Sequence, residues 1–191
     1  ELARKVALVP QSVPRSHSMV YDCVLLGRKP HIDVGVSAED LAITSRAISE
    51  MGLRDLALEY ADRISGGEFQ KVQIARALAQ EPAVMMFDEP TNNLDISNQH
   101  RTMEMIKAMV GRSGVCAIMT MHDINLAAHY SDALIFVRDG RLEAFGGKEV
   151  VTPELVRRVY GIDVDVIEHN GRPVIVPAVK QEEGRDAPQG L

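Results

Sequence analysis

The run Ala83-Val84-Met85-Met86-Phe87 is apolar without a break and then stops on two carboxylates, Asp88 and Glu89. A strand that is apolar at every position is a strand buried on both faces, and such strands occur in parallel sheets covered by crossover helices. The pattern returns at Val115 to Met121 and again at Ala133 to Val137. Between these runs, Met103, Ile106, Met109 and Val110, and then Ile124, Ala127 and Ala128, recur at helical spacing. The alternation predicts an α/β fold with a parallel sheet and helices on both faces. Val6 to Val9, stopped by Pro10-Gln11, reads as one more strand ending in a loop.

The stretch between Gln11 and Ala83 is helical in pattern. Residues 12–36 read as loop, short helix around Val20 to Leu26, and loop. Ser37, with Asp40 three residues on, starts a helix whose Leu41, Ser45, Ile48 and Met51 share a face and which Gly52 ends. Leu53, Leu56, Ala57 and Tyr60 predict a short second helix. Phe69, Val72, Ala75, Leu78 and Ala79 predict a third, opened by Ser65-Gly66-Gly67 and closed by Pro82. After the last apolar run, Asp139-Gly140 turns a hairpin into Arg141 to Phe145. Thr152-Pro153 starts a final helix that Gly161 ends. Val164, Val166 and Ile167 form a strand paired with Pro173 to Val176 across Asn170-Gly171, and the polar Lys180 to Leu191 reads as a disordered tail.

Composition excludes several classes of function. The net charge of -6 supplies no general basic field for nucleic acid. Cys23 and Cys116 sit in no metal-spaced motif, which favours a reducing compartment over a disulfide framework. No apolar run approaches the roughly 20 residues that cross a bilayer, so a membrane role would be peripheral. The chain begins at Glu1 and enters a strand almost at once, as expected of a piece of a longer polypeptide.

Four features can carry chemistry. Asp88 and Glu89 lie at the carboxyl end of a predicted strand, where ligands of α/β sheets gather. One carboxylate there can hold Mg²⁺ and the next can accept a proton from an attacking water; the plainer reading is an acidic turn. Ser65-Gly66-Gly67-Glu68 opens a helix, where backbone N–H groups can approach a phosphate, or where Ser65 is simply a cap. His122 follows the strand Val115 to Met121 at the same sheet edge and can touch a phosphate or position water, or be a surface residue. Gln11, after the first strand, means nothing by itself. His17, His100, His129 and His169 have no metal-ligand spacing and read as surface or packing residues.

The order changes that reading. Gln11, then Ile64-Ser65-Gly66-Gly67-Glu68, then Val84 to Thr91 with Asp88-Glu89-Pro90, then Asn93-Leu94-Asp95, then His122, closely resembles the ABC ATPase family over about Val6 to Gly161. The resemblance implies that Gln11 is the Q-loop glutamine and that Ser65 to Glu68 form the signature loop, with Arg76 in the following helix. It implies that Asp88 and Glu89 are the Walker B pair, Asp95 the D-loop aspartate and His122 the switch histidine. It further implies a head-to-tail dimer of two ATPase subunits with ATP and Mg²⁺ between them. Asp88 and Gln11 would then serve Mg²⁺, Glu89 would polarise the lytic water, and His122 would contact the γ-phosphate. Ser65, Gly66, Gly67 and Glu68 would act in trans on the partner subunit's nucleotide. Transmembrane permease subunits are the implied partners, no nucleic acid is, and the implied location is cytoplasmic, on the inner face of the cell membrane.

The Gly-x4-Gly-Lys-Ser/Thr phosphate loop of that family does not occur in these 191 residues. Gly146-Gly147-Lys148 is the nearest string, but Leu142 stands where the first Gly should be and Glu149 where the hydroxyl residue should be. The expectation is an ATPase in the complete protein and inactivity of this chain alone. Ile64 and Glu68 replace the family's commoner Leu and Gln.

Val20-Tyr21-Asp22-Cys23-Val24-Leu25-Leu26-Gly27-Arg28-Lys29-Pro30-His31 resembles ATPases that drive import of ferric siderophores, haem and cobalamin, as does His122 to Tyr130. The plainer reading of Gly27 to His31 is a loop joining helices. Alternatives are a phosphate-loop-less pseudo-ATPase acting as a binding module, and a soluble ABC ATPase of repair or translation. The expected organisation is core strand and Q-loop over 1–11, a helical signature subdomain over 12–81, an α/β catalytic core over 82–161, a β-hairpin over 162–179 and a tail over 180–191. Residues 12–37, with Val20, Val24 and Leu25 outward, are expected to dock on a permease.

Overall fold

The computed structural model describes residues 1–178, so the tail expected over 180–191 lies outside the described residues. The chain forms two compact units, one from Glu1 to His122 and one from Asp123 onward.

In the first unit, strands β1 (Val6–Val9), β2 (Val84–Asp88) and β3 (Cys116–Thr120) form a parallel sheet in the order β1-β2-β3. Helices α1 (Val20–Leu25), α2 (Ala38–Glu50) and α3 (Gly66–Ala79) connect β1 to β2, and α4 (Ile96–Ser113) connects β2 to β3. Ala7, Val9, Met85 and Phe87 are buried in one core with Val20 and Val24 of α1, Val72 and Ala75 of α3, and Ile106 and Met109 of α4. The helices expected on both faces cover this row of side chains. The alternate row remains open: Leu8 is 61% exposed, Met86 43% and Ile118 45%, and the three are aligned across the sheet.

The helices begin where short polar side chains satisfy first-turn N–H groups. Ser37 and Asp40 form a reciprocal capping box on α2, as Ser65 and Glu68 do on α3. The buried stripe of α2 differs from the expected one. Ile43, Thr44, Ala47 and Ile48 are buried, whereas Leu41 and Ser45 face solvent. Asp40 sets this rotation, because it is drawn into the core to meet Arg28. No second helix forms over 53–60. Arg54–Leu56 makes a single 3-10 turn, and the following carbonyls of Ala57 and Glu59 accept from the N–H groups of Tyr21 and Val20. A tertiary pairing has taken the acceptors a helix would have used. Val20 and Val24, expected outward, are fully buried; the large apolar side chains exposed within residues 12–37 are Met19, Leu26, Val34 and Val36.

Arg28 is 4% exposed. Its Nε donates to Asp40 Oδ1 at 2.9 Å, and its Nη1 donates to the Ala79 carbonyl at 2.8 Å and to Glu81 Oε2 at 2.9 Å. The guanidinium thus caps the negative end of α3 while it ion-pairs. Beside it, a His31 ring nitrogen lies 2.9 Å from the Gln80 carbonyl. Gly27 packs so closely on α3 that a Cβ there would lie 2.1 Å from the Arg76 carbonyl oxygen. The Gly27 to His31 run therefore staples the chain to the C-terminus of α3.

The second unit contains α5 (Ile124–Tyr130), strands β4 (Leu134–Arg138) and β5 (Arg141–Gly146), α6 (Pro153–Tyr160), and strands β6 (Val164–His169) and β7 (Arg172–Pro177). Both hairpins form at the expected turns. Among the described residues, the run Ala133 to Val137 does not join the parallel sheet; β4 pairs with β5, antiparallel. Its apolar residues divide by face, Leu134 and Phe136 buried with Ala128 and Leu155, and Ile135 and Val137 exposed.

The Asp40 carboxyl is held at about 2 by the Ser37 hydroxyl first, then the Ser37 N–H and Arg28. A depressed folded-state value stabilises the fold above the ordinary aspartate range, and that contribution is lost as pH falls through about 2. Urea unfolding between about pH 4 and pH 2 is expected to show an acid limb that Asp40→Asn flattens.

Candidate functional site

Parallel, in-register pairing brings the three strand ends to one edge. Val9 pairs with Phe87, and Phe87 with Met119. Gln11, Glu89 and His122, each two or three residues further along, therefore emerge side by side. Gln11 Nε2 donates to Glu89 Oε2 at 2.9 Å, and His122 Nε2 lies 2.5 Å from Glu89 Oε1. An ionised carboxylate only accepts, so the His122 nitrogen is the donor there. The side chain of Glu89 is 21% exposed and that of His122 is 82% exposed. The histidine is thus reached by solvent while the carboxylate is largely enclosed.

Two further residues grip the carboxylate pair. Asn92 Nδ2 donates to Glu89 Oε2 at 2.9 Å. Thr120 Oγ1 accepts from the Glu89 N–H at 2.9 Å and donates to Asp88 Oδ1 at 2.8 Å. Neither stands out in the sequence. Thr120 is hidden inside the run Val115 to Met121, although a hydroxyl at the last position of an otherwise apolar strand was the available signal.

Ser65, Gly66, Gly67 and Glu68 form the first turn of α3. Ser65 N–H donates to Glu68 Oε2 at 2.8 Å and Glu68 N–H to Ser65 Oγ at 3.3 Å. The Ser65 hydroxyl, and then its N–H, hold the Glu68 carboxyl below its ordinary value. The N–H groups of Gly66 and Gly67 have no intrahelical acceptor and point out of the turn. Arg15 braces this loop, donating to the Ile64 carbonyl at 2.7 Å with its guanidinium 5.1 Å from the Phe69 ring centre. Gln70 donates to the Pro90 carbonyl at 2.5 Å, tying α3 to the segment after Glu89. Among the described residues, no hydrogen bond joins Ser65 to Glu68 with the group around Glu89. Asp95 caps α4, accepting from Asn98 N–H and Nδ2, both at 2.8 Å.

The donor set suits a small hard cation. Thr120 occupies one oxygen of Asp88 and leaves the other, and Gln11 turns its NH₂ to Glu89, leaving its amide oxygen. Among the described residues, no group of three or more acidic, His or Cys side chains encloses a metal. A cation that keeps its waters and takes further oxygens from phosphates is the kind that fits one carboxylate and one amide.

The family model described as ABC transporter matches residues 1–92. An uncharacterized ABC transporter ATP-binding protein of Methanocaldococcus jannaschii is 48% identical over 177 residues, covering 93% of this chain and 70% of that protein. The ferric enterobactin transport ATP-binding protein of Escherichia coli is 36% identical over 194 residues, covering 98% of this chain and 70% of that protein. Among solved structures, an ATP-binding cassette in a dimeric post-hydrolysis state bound to ADP and Pi superposes with a TM-score of 0.61 at 26% identity, covering 76% of this chain and 63% of that one.

The Ser65 hydroxyl closes the turn of α3. Ser65→Ala is expected to cost about 1 kcal/mol of stability, and Ser65→Gly only a few tenths. Urea unfolding of both variants checks this, and equal losses would mean that the hydroxyl does not hold the cap.

Proposed function

The chain belongs to the ABC transporter family as an ATP-binding subunit, and from that premise we propose that Glu89 is the general base of ATP hydrolysis that drives an importer. The single observation that carries this reading is the convergence of Gln11 and His122, which follow the strands on either side of β2, on the Glu89 carboxylate. Glu89 accepts the proton of the attacking water, and His122, donating from Nε2, would exchange the carboxylate for the γ-phosphate. Asp88 and the Gln11 amide oxygen would hold Mg²⁺. The cation, when bound, offsets phosphate charge. Gly66 and Gly67 direct their first-turn N–H groups at the nucleotide of a second ATPase subunit in a head-to-tail dimer, with Ser65 and Glu68 shaping that turn. Asp95 sits in the D-loop facing that partner.

These residues supply carboxylates, an amide and an imidazole but no cradle for the β- and γ-phosphates. The 191 residues by themselves are therefore proposed to lack turnover, which a Gly-x4-Gly-Lys-Ser/Thr loop joined to them would supply.

The proposed cargo class is a ferric siderophore, haem or cobalamin. Gly27 to His31, His122 to Tyr130 and the similarity to a ferric enterobactin transport protein support it. The proposed location is the inner face of the cell membrane, on permease subunits. Among the described residues no helix is long and apolar enough to cross a membrane. The docking surface is residues 12–37, with Met19, Leu26, Val34 and Val36 as its exposed apolar side chains.

Glu89→Gln, in a protein joining this chain to a phosphate-binding loop, is expected to lower turnover about 10²–10⁴-fold while ATP binding persists. Steady-state ATPase assays and nucleotide titration measure the two; near-wild-type turnover would remove Glu89 from the role. Calorimetric titration of ATP into the 191-residue chain alone is expected to show no tight Mg²⁺-dependent binding. Such binding would reveal an unrecognised phosphate site.

A further inference from the structure

Thr120 stands opposite Asp88 in the parallel register, at the last position of β3. Its hydroxyl lies between the two carboxylate residues, accepting from the Glu89 N–H and donating to Asp88 Oδ1. Both directions are settled by chemistry, because an amide N–H can only donate and an ionised carboxylate can only accept. The single hydroxyl proton is committed to Asp88, and one lone pair to Glu89.

Glu89 has a φ of 47°, in the left-handed region. A residue with a Cβ adopts that conformation only where its surroundings hold it there. Consecutive residues of a strand face opposite sides of the sheet. Asp88 and Glu89 can therefore serve one ligand only if the chain leaves extended geometry between them, and the left-handed Glu89 is that departure. Its N–H has turned out of the β2–β3 ladder, which ends at the Asp88–Thr120 pair. The Thr120 side chain takes the place of the backbone acceptor it has lost.

We propose that Thr120 is a positioning residue for hydrolysis. Its hydroxyl holds Glu89 in the left-handed turn that aims the carboxylate at Gln11 and His122, and it engages Asp88 Oδ1, which leaves Oδ2 as the oxygen that would take a cation. This rests on the roles given to Asp88 and Glu89 above. Valine has nearly the same shape but offers no acceptor to the Glu89 N–H and no donor to Asp88. Serine keeps both bonds.

The test compares Thr120→Val, Thr120→Ser and Glu89→Gln in the protein that joins this chain to a phosphate-binding loop. It reads kcat and KM for ATP, and Mn²⁺ binding by electron paramagnetic resonance at fixed nucleotide. Thr120→Val is expected to lower kcat about 10- to 100-fold and to weaken Mn²⁺ binding about tenfold, since partners that orient ligating carboxylates have effects of that size. KM for the Mg²⁺–ATP complex is expected to rise by no more than about tenfold, because the weakened cation contact is part of its ground-state binding. Thr120→Ser is expected to restore kcat and Mn²⁺ binding to within about threefold of wild type. If the valine variant does not fold by circular dichroism, Thr120→Ala at this exposed strand end carries the same expectation. Wild-type kcat and Mn²⁺ binding in Thr120→Val, with Glu89→Gln inactive, would overturn the positioning role and leave the general-base role standing. A loss in Thr120→Ser equal to that in Thr120→Val would also overturn it, placing the effect in packing of the β-branch. Full turnover in Glu89→Gln would overturn the general-base role, and this inference with it.

Discussion

The common register of β1, β2 and β3 is the constraint from which the rest of the first unit follows. Parallel strands need long crossovers, and here the crossovers are helical. Because Val9, Phe87 and Met119 lie level, all three strands end at one edge. Gln11, Glu89 and His122 are far apart in sequence, yet the level strand ends and the left-handed turn at Glu89 bring the other two onto the Glu89 carboxylate. A slip of one residue in β2 would turn Met85 and Phe87 out of the core and move Glu89 off its donors. Core packing and site assembly are thus enforced by the same ladder.

Helix α3 joins this edge to the rest of the unit, and both its ends are tied. At its start, the Ser65–Glu68 box closes the first turn, Arg15 grips the Ile64 carbonyl, and Gln70 reaches the Pro90 carbonyl just past Glu89. At its end, Arg28 and His31 satisfy the carbonyls of Ala79 and Gln80. A buried guanidinium is tolerated because Asp40 and Glu81 neutralise it and the α3 carbonyl takes a remaining donor. The Gly27 to His31 run, which reads in sequence as a subfamily marker, thus has a mechanical function: it sets where α3 stops before Pro82 and β2 begin.

Much was legible in the chain itself, because the signals were local. Apolar runs marked the strands, Ser37 and Ser65 with an acid three residues on marked two helix starts, and Asp139-Gly140 and Asn170-Gly171 marked the hairpin turns. The functional order from Gln11 to His122 was legible as a family pattern. Where the sequence reading missed, a long-range partner had prevailed over local preference. Arg28 pulled Asp40 inward and rotated the buried stripe of α2. Val20 and Tyr21 captured the carbonyls of Ala57 and Glu59 and prevented a helix. The run Ala133 to Val137 was indistinguishable from a parallel strand, since an apolar run carries no information about which strand it will pair with.

The amino-acid sequence alone determined the kind of elements, their order and the chemistry available at the strand ends, because propensity, capping and side-chain type act within a few residues. Only the tertiary structure decided which donors meet at Glu89, that Asn92 is one of them, that Thr120 accepts from the Glu89 N–H, and that Glu89 leaves the strand in a left-handed turn. Those outcomes depend on the register between strands and on hydrogen bonds such as Glu89 to Thr120, 31 residues apart, and no local pattern encodes which distant groups the closed sheet will bring level.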